Sequence, residues 1–441
     1  MREPWRGDRL AVRAGISEEV EVTMSKCRGT SNQGVDRKGT CAQAPPPSGH
    51  GSSPAGGGTP CAWFANMIPN CLAYAKQAKE QGRPVVGIMC EYTPRELIMA
   101  AGAVPVCLCG GSASTIPAAE EDLPANLCPL IKSTYGHLKR KSNPFLEMAD
   151  LIVAETTCDG KKKMYEIMGE TKAMHVLELP QKPEDSDAFE HWCRELEKLK
   201  ARLEKEFRVT ITDCGLRQAV ASMNRERALR RKLAEFMKSD APPLTGRQLL
   251  DFKSSISGMP ADFEQYEKTI GLLGAKRPCP TQAERVRVLM TGVPMVHGAE
   301  HVLQIVEDSG GLVVCLESCV GLKPILEDID ENAGDLMRAT AGKYFRLSCS
   351  VMTSNDRRLD VLRSLVEQYR PQCVIELIWQ ACLTYDVETY RVKRLVEHEL
   401  GLPYLRIETD YSRSNAAQIA VRVQALLETV RGAACSQGRR S

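Results

Sequence analysis

Aromatic side chains are scarce, at 5% of 441 residues, and net charge is nearly absent: 58 Lys and Arg stand against 56 Asp and Glu, for a balance of +2. A chain this close to neutral has no global electrostatic reason to bind nucleic acid or an anionic membrane, so any polyanion site must be local. No run approaches the ~18 uninterrupted apolar residues of a spanning helix. Met1–Gly15 mixes Arg, Glu and Asp without the apolar core of a signal peptide. These absences predict a cytoplasmic protein with neither a membrane nor a nucleic-acid partner. Two motifs are also missing. There is no G-x-x-x-x-G-K-[ST] phosphate loop, since TAGKYF at 340–345 lacks its spacing and final Ser/Thr, and there is no C-x2-C pair.

What the chain has in quantity is cysteine, 18 residues in all. A secreted disulfide scaffold would be short and carry an export signal, so these thiols are expected to be reduced. They can then be buried apolar side chains, metal ligands or redox groups. Hydrophobic residues at 43% and charged residues at 26% exclude a mostly disordered chain.

Residues 1–59, with PPPSGHGSSPAGGG, have no sustained apolar period and are expected to be a disordered extension in which Cys27 and Cys41 have no role. Met24 and Met67 are alternative starts. From residue 85 short apolar runs alternate with helical patterns. VVGIMC (85–90), VPVCLC (104–109), LIVAETTC (151–158) and MHVLELP (174–180) are predicted strands. TPRELIMAAG (93–102) is predicted to be a helix with Thr93 as N-cap, Pro94 at its first position and Glu96 completing a capping box.

Residues 185–272 read instead as long charged helices, and the basic run Arg225–Lys232 is expected to form a solvated face rather than a nucleic-acid helix. Alternation restarts at VRVLMTG (286–292), LVVCLESC (312–319), CVIELIWQAC (373–382) and PYLRIETD (403–410). The second half echoes the first. The expected architecture is α/β, with a first lobe at 60–183, a helical segment at 184–282, a second lobe at 283–432 and a flexible tail at 433–441, each lobe a doubly wound parallel sheet.

Ligands of such sheets bind at the carboxyl ends of strands. Sorted by that rule, Cys90 and Cys158 close strands of the first lobe and Cys128 opens a helix. In the second lobe Cys319 follows a strand, Cys349 sits in LSCSVMTSN and Cys382 closes IELIWQAC. Three thiols per lobe would suit two iron–sulfur cubanes, each with one iron lacking a protein thiolate. Lys161, Lys162 and Lys163 either favour thiolates there or are ordinary solvated residues. Zinc is the alternative metal, although structural zinc sites favour close Cys pairs. Cys107, Cys109, Cys315 and Cys373 lie within predicted strands and are expected to be buried small hydrophobes. Cys107 and Cys109, which share a strand face, keep a possible ligand or redox role. Cys193, Cys214, Cys279 and Cys435 are given none.

Together, GIMCEYTPRELIMAAGAVPVCLCGG, LCPLIKSTYG, ETTCDGKKKMYE, LESCVGLK, LSCSVMTSN, QACLTYDVETY and LRIETDYS resemble the 2-hydroxyacyl-CoA dehydratase and benzoyl-CoA reductase superfamily (2-hydroxyglutaryl-CoA dehydratase D-component-like). The nearest match is its double-cubane-cluster branch. The resemblance implies flavodoxin-like lobes around two linked four-iron units held by six Cys of one chain, here Cys90, Cys128, Cys158, Cys319, Cys349 and Cys382. Dehydratase members carry about three cluster Cys per subunit and pair two different subunits. Leu383 and Ser354 depart from the branch, which commonly has His and Pro there. A lost His removes a proton donor, so substrate or activity is expected to differ while cluster binding need not.

The resemblance further implies a homodimer that receives low-potential electrons from a separate ATP-hydrolysing iron–sulfur activator and reduces a small unsaturated substrate. One alternative is a 2-hydroxyacyl-CoA dehydratase component, removing water by a radical route. Another is a non-catalytic iron–sulfur electron carrier. No catalytic residue is assigned. His137, His297 and His301 are expected to be surface or satisfied groups, with His297 and Glu300 the best second-tier pair for proton delivery.

Overall fold

Eight short strands frame the protein: β1 Val85–Ile88, β2 Val104–Cys107, β3 Leu151–Glu155, β4 Met174–Leu177, β5 Val286–Gly292, β6 Gly311–Glu317, β7 Cys373–Trp379 and β8 Tyr404–Thr409. The computed structural model describes residues 60–275 and 280–438; the expected disordered extension, with Cys27 and Cys41, and also Cys279 lie outside the described residues. The strands make two all-parallel sheets ordered β2-β1-β3-β4 and β6-β5-β7-β8. In each sheet the chain starts at an inner strand, crosses to one neighbour, then returns past its start to the other side. A switch point therefore opens between β1 and β3, and another between β5 and β7, as in doubly wound folds.

Helices cover both faces, which is why β1, β3, β6 and β7 are buried along their whole length and read as nearly continuous apolar runs. Several predicted strands overrun the observed ones. β1 stops at Ile88, β2 at Cys107, β3 at Glu155 and β7 at Trp379, because the register that pairs them ends there: Ile88 faces Val153 and Trp379 faces Thr409 as the last partners. Cys90, Cys109, Cys158 and Cys382 consequently lie in loops beyond the sheets, and Cys109 is not the strand residue its apolar neighbours suggest.

Two other expectations are corrected. The helix predicted at 93–102 spans Arg95–Ala100, and Pro94, not Thr93, takes the cap position. The Thr93 hydroxyl is engaged instead by the buried Glu155 carboxylate, and Glu96 pairs with Arg227 and Tyr344 rather than closing a capping box. The run Arg225–Lys232 is not a solvated face. Arg227 is only 2% exposed, Leu229 and Arg230 are buried, and Arg231 pairs with Asp328. The Asp213–Glu235 helix packs on the Arg95–Ala100 helix, and the Glu96 carboxylate provides the partner a buried arginine requires.

The described residues belong to one compact unit, and a single hydrophobic cluster runs from Met89 and Val106 beside the first sheet to Val288, Ile375 and Trp379 in the second. Across the seam, Tyr92 donates to the Leu347 carbonyl at 3.0 Å and the Thr353 amide to the Gln181 carbonyl at 2.8 Å. The two halves also pack tightly at Gly111, where a Cβ would sit 2.2 Å from the His297 carbonyl oxygen. Only glycine fits there. No helix among the described residues is long and apolar enough to cross a membrane.

Candidate functional site

The carboxyl ends of the sheets look onto one cavity of ≈ 1320 Å³, and Cys90, Cys128, Cys158, Cys319, Cys349 and Cys382 all line it, joined by Cys107 and Cys109. Local structure explains how each thiol arrives. Cys128, Cys158 and Cys382 occupy the residue before the Pro129–Arg140, Asp159–Met168 and Leu383–Arg394 helices, so three helix N-termini point at the cavity wall and favour negative charge there. Cys90 and Cys319 each follow a strand end by two residues, and Cys349 sits in the turn after the Leu336–Phe345 helix.

Three of the six thiols come from the first lobe and three from the second, and they interact across the seam. Cys128 and Cys382, from different lobes, act on one another electrostatically, and the charge of Cys158 reaches Cys382. The influence of Cys382, followed by the amides of Leu130 and Ile131, holds the Cys128 thiol below its ordinary value against burial. Cys90 is raised by burial against Lys161, then by Glu155 and by Cys319 and Cys349 of the other lobe. Burial pushes Cys319 up to about 12. Among the described residues, no three Cys, His, Asp or Glu side chains converge closely enough to hold a single metal ion. The thiols ring a space instead of meeting at a point.

Of the lysine run, Lys161 and Lys162 line the cavity, and Lys161 is the one turned inward, donating to the Met89 carbonyl at 2.9 Å. Lys162 and Lys163 form exposed pairs with Asp159 and Glu166. Sequence reasoning missed Lys253, whose ammonium binds Glu91 at 2.5 Å and the Cys319 carbonyl at 2.8 Å, tying the two lobes beside two thiols. Burial would raise Glu91, but Arg95 and then Lys253 hold it down to about 2. Nothing in KSSIS flags that lysine. Behind Cys319, Lys323 binds Glu317 at 3.1 Å and donates to the Tyr385 hydroxyl at 2.9 Å.

Three polar atoms near the thiols are buried with no hydrogen-bond partner among the described residues: the hydroxyls of Tyr165 and Tyr411 and Oε2 of Glu155. Burial pushes Glu155 up to about 8. His297 and Glu300 both line the cavity, with His297 Nδ1 3.6 Å from Glu300 Oε1. His137 is satisfied by Ser142 at 2.8 Å. His301 is neither surface nor satisfied, being buried against Trp379 with Nε2 unpartnered among the described residues. Cys315 and Cys373 are buried inside β6 and β7, Cys193 is partly buried and Cys214 is exposed. Leu383 stands 71% exposed at the cavity rim.

Residues 90–430 match the family described as 2-hydroxyglutaryl-CoA dehydratase, D-component. The chain is 42% identical over 361 residues to YjiM of Escherichia coli (strain K12), provisionally named a dehydratase subunit, covering 79% of this chain and 92% of that protein. It is 25% identical to the beta subunit of the lactoyl-CoA dehydratase of Anaerotignum propionicum, over 79% of this chain and 92% of the relative. With a subunit of the benzoyl-CoA reductase of Thauera aromatica it shares 22% identity, over 82% of this chain and 96% of the relative. The chain thus belongs to the 2-hydroxyglutaryl-CoA dehydratase D-component family.

Proposed function

We propose that this chain is an iron–sulfur enzyme component in which Cys90, Cys128, Cys158, Cys319, Cys349 and Cys382 hold a cluster of the double-cubane type. The observation that carries this reading is that six thiols from both lobes line one cavity. The donor set suits the group: all six are thiols, and a cluster spreads its ligands around a cage of iron and sulfide, so they need not converge on a point. Three helix N-termini and Lys161 would offset thiolate charge. When bound, the cluster would take low-potential electrons and pass them to a small unsaturated substrate.

The chain's own residues would shape the rest. Lys253, bonded to Glu91 and to the Cys319 carbonyl, keeps the lobes in register around the cluster. The cavity exceeds the roughly 300–1,000 Å³ of ordinary ligand sites, which leaves space for a substrate as well. With no phosphate loop of its own, the chain would depend on an ATP-hydrolysing iron–sulfur activator, acting in the cytoplasm on a homodimer. A second reading, a 2-hydroxyacyl-CoA dehydratase component, is favoured by the relatives named as dehydratase subunits.

The test is anaerobic protein mixed with ATP and a family activator. The proposal expects an ATP-dependent change in the visible and electron paramagnetic resonance spectra, absent in Cys158→Ser, and reduction of a small alkyne. Conversion of a 2-hydroxyacyl-CoA into the enoyl-CoA would move the assignment to the dehydratase reading. A reducible cluster without turnover of either probe would leave an electron carrier.

A further inference from the structure

Two histidines among the described residues line the cavity, and they stand in different places. His137 lies nine residues along its helix from Cys128, about 13 Å at 1.5 Å per residue, and Ser142 engages its Nδ1 at 2.8 Å. His297 belongs to the loop that follows β5. β5 and β7 are paired as far as Gly292 and Leu377 and flank the switch point of the second sheet, where doubly wound folds hold their ligands.

Two loops meet at that point. The one after β5 brings Val293, Pro294, Val296, His297 and Glu300 to the cavity wall, and the one after β7 brings Cys382. They are tied together where the Trp379 Nε1–H donates to the Pro294 carbonyl at 3.0 Å. The first lobe fixes the other side. The His297 carbonyl abuts Gly111, two residues past Cys109, and a Cβ on Gly298 would sit 3.0 Å from the Gly111 carbonyl oxygen. His297 is thus held between the loop of Cys382 and the loop of Cys109.

Its side chain is arranged for proton traffic. The imidazole is 58% exposed, so it meets water as well as the cavity, and its Nδ1 faces Glu300 Oε1 at 3.6 Å. The Glu300 carboxylate is buried and fixed: the Gly298 amide donates to Oε2 at 3.0 Å, and the Arg247 guanidinium lies 3.6 Å from the same oxygen. Arg247 is held in turn by Asp251 at 3.1 Å. Arg247 and Asp251, from the Gly246–Asp251 helix, also line the cavity, and the Asp251 carboxylate senses the charge of His297. A carboxylate on Nδ1 orients the ring and leaves Nε2, which has no partner among the described residues, to carry the mobile proton. Other proton-bearing groups of the cavity are committed: Lys253 and Glu91 bind each other, and Tyr385 accepts from Lys323.

We propose that His297 is the proton donor for a substrate reduced in this cavity, with Glu300 and Arg247 as positioning residues. The assignment rests on the iron–sulfur reading above. Reduction of an alkyne to an alkene breaks one π bond and forms two C–H bonds, so it takes two electrons and two protons. The electrons come from the reduced iron–sulfur group, and His297 Nε2 gives each proton and is recharged from water at its exposed face. An imidazolium, with an ordinary pKa of about 6.5, releases a proton at neutral pH far more readily than a lysine ammonium at about 10.4.

The experiment uses anaerobically loaded protein with ATP, a family activator and acetylene, with iron content, electron paramagnetic resonance and ethylene read on the same samples. His297→Ala is expected to keep its iron and its ATP-dependent signal, and to make ethylene about 100- to 10,000-fold more slowly. Free imidazole should recover part of that rate. The reduced-state signal of the variant should persist after acetylene is added, whereas the wild-type signal falls as electrons are used. Glu300→Gln should lower kcat with KM unchanged and Glu300→Asp should restore part of the loss, a pair that remains informative if His297→Ala folds poorly. Ethylene at the wild-type rate from His297→Ala, or a loss that comes with lost iron and ignores imidazole, would overturn the proposal and leave the iron–sulfur reading standing. Wild-type protein that holds no iron would overturn both, and one that holds iron but makes no ethylene would overturn the proposal together with the reductase activity.

Discussion

Replacing Arg358 by Met should be among the most damaging single changes available outside the thiols. Its guanidinium is 0% exposed and meets Glu388 at 2.5 Å, Glu376 at 3.1 Å, Glu317 at 3.4 Å and the Thr291 hydroxyl at 2.9 Å. Met approximates the packing volume but leaves three carboxylates with Lys323 as the one nearby cation among the described residues, and it reaches only Glu317; Glu388 keeps the neutral Asn355 amide at 2.7 Å. Removing one partner of a buried pair costs about 3–5 kcal/mol. The upper end is expected here, because Glu376 keeps just the Tyr404 hydroxyl at 2.6 Å. Against a typical total of about 5–15 kcal/mol, that is a large share.

The loss should also depend on pH. Burial already raises Glu376 above the ordinary carboxylate range, with Arg358 the chief opposing influence. Without Arg358 it rises further, so the variant recovers stability as pH falls and Glu376 takes up a proton. Urea unfolding followed by circular dichroism at pH 8 and pH 5.5 reads both effects. The exposed pair Arg225 with Glu267 is the reference, since Arg225→Ala should cost under about 1 kcal/mol. An Arg358→Met deficit no larger than that of Arg225→Ala, or one that does not shrink at the lower pH, would refute the reasoning.

Other consequences are open to equally direct checks. Burial works against the Glu96 carboxylate, but Arg227, Lys343 and the Tyr344 hydroxyl hold it below the usual range. The stability this confers is present above the unfolded value of about 4.3 and is lost as pH falls through the lower folded value. Glu96→Gln should therefore destabilise at pH 7, with a deficit that narrows at acid pH; a constant deficit in unfolding midpoints from pH 7 to pH 3 contradicts the pairing. Gly111→Ala should lower thermal stability by about 1–3 kcal/mol through the clash with the His297 carbonyl, whereas Gly432→Ala, with open space around it, should not; equal melting temperatures would mean the seam is not tight. Cys158→Ser or Cys382→Ser should lose bound iron to a degree that Cys373→Ala, buried in β7, does not, and equal iron in all three variants would undo the ligand assignment.

The fold was legible because parallel strands covered on both faces must be apolar throughout. VVGI, LIVA and CVIELIW announce themselves for that reason, and the C-terminal position of their cysteines follows from the winding of the sheet. Strand ends were less legible, since pairing stops where a neighbouring strand stops, and IMC or WQAC carries no local mark of that. That Cys128 and Cys382 from different lobes line one cavity was invisible because it depends on how two similar lobes face each other. Buried charge was half legible: Glu317 and Glu376 inside apolar strands demand partners, but nothing in DRRLDVLRS selects Arg358 from its neighbours. The same holds for Arg227, whose surroundings look solvated until Glu96 is placed against it.

The central claim, six thiols of one chain around a shared cluster, is tested most directly by counting iron and acid-labile sulfide per chain after strictly anaerobic purification. The account predicts about eight irons, as two linked four-iron units require. About four would assign a single cluster of the dehydratase kind to a subset of the thiols. Little or no iron in a folded protein would contradict the account and return all six cysteines to a structural role.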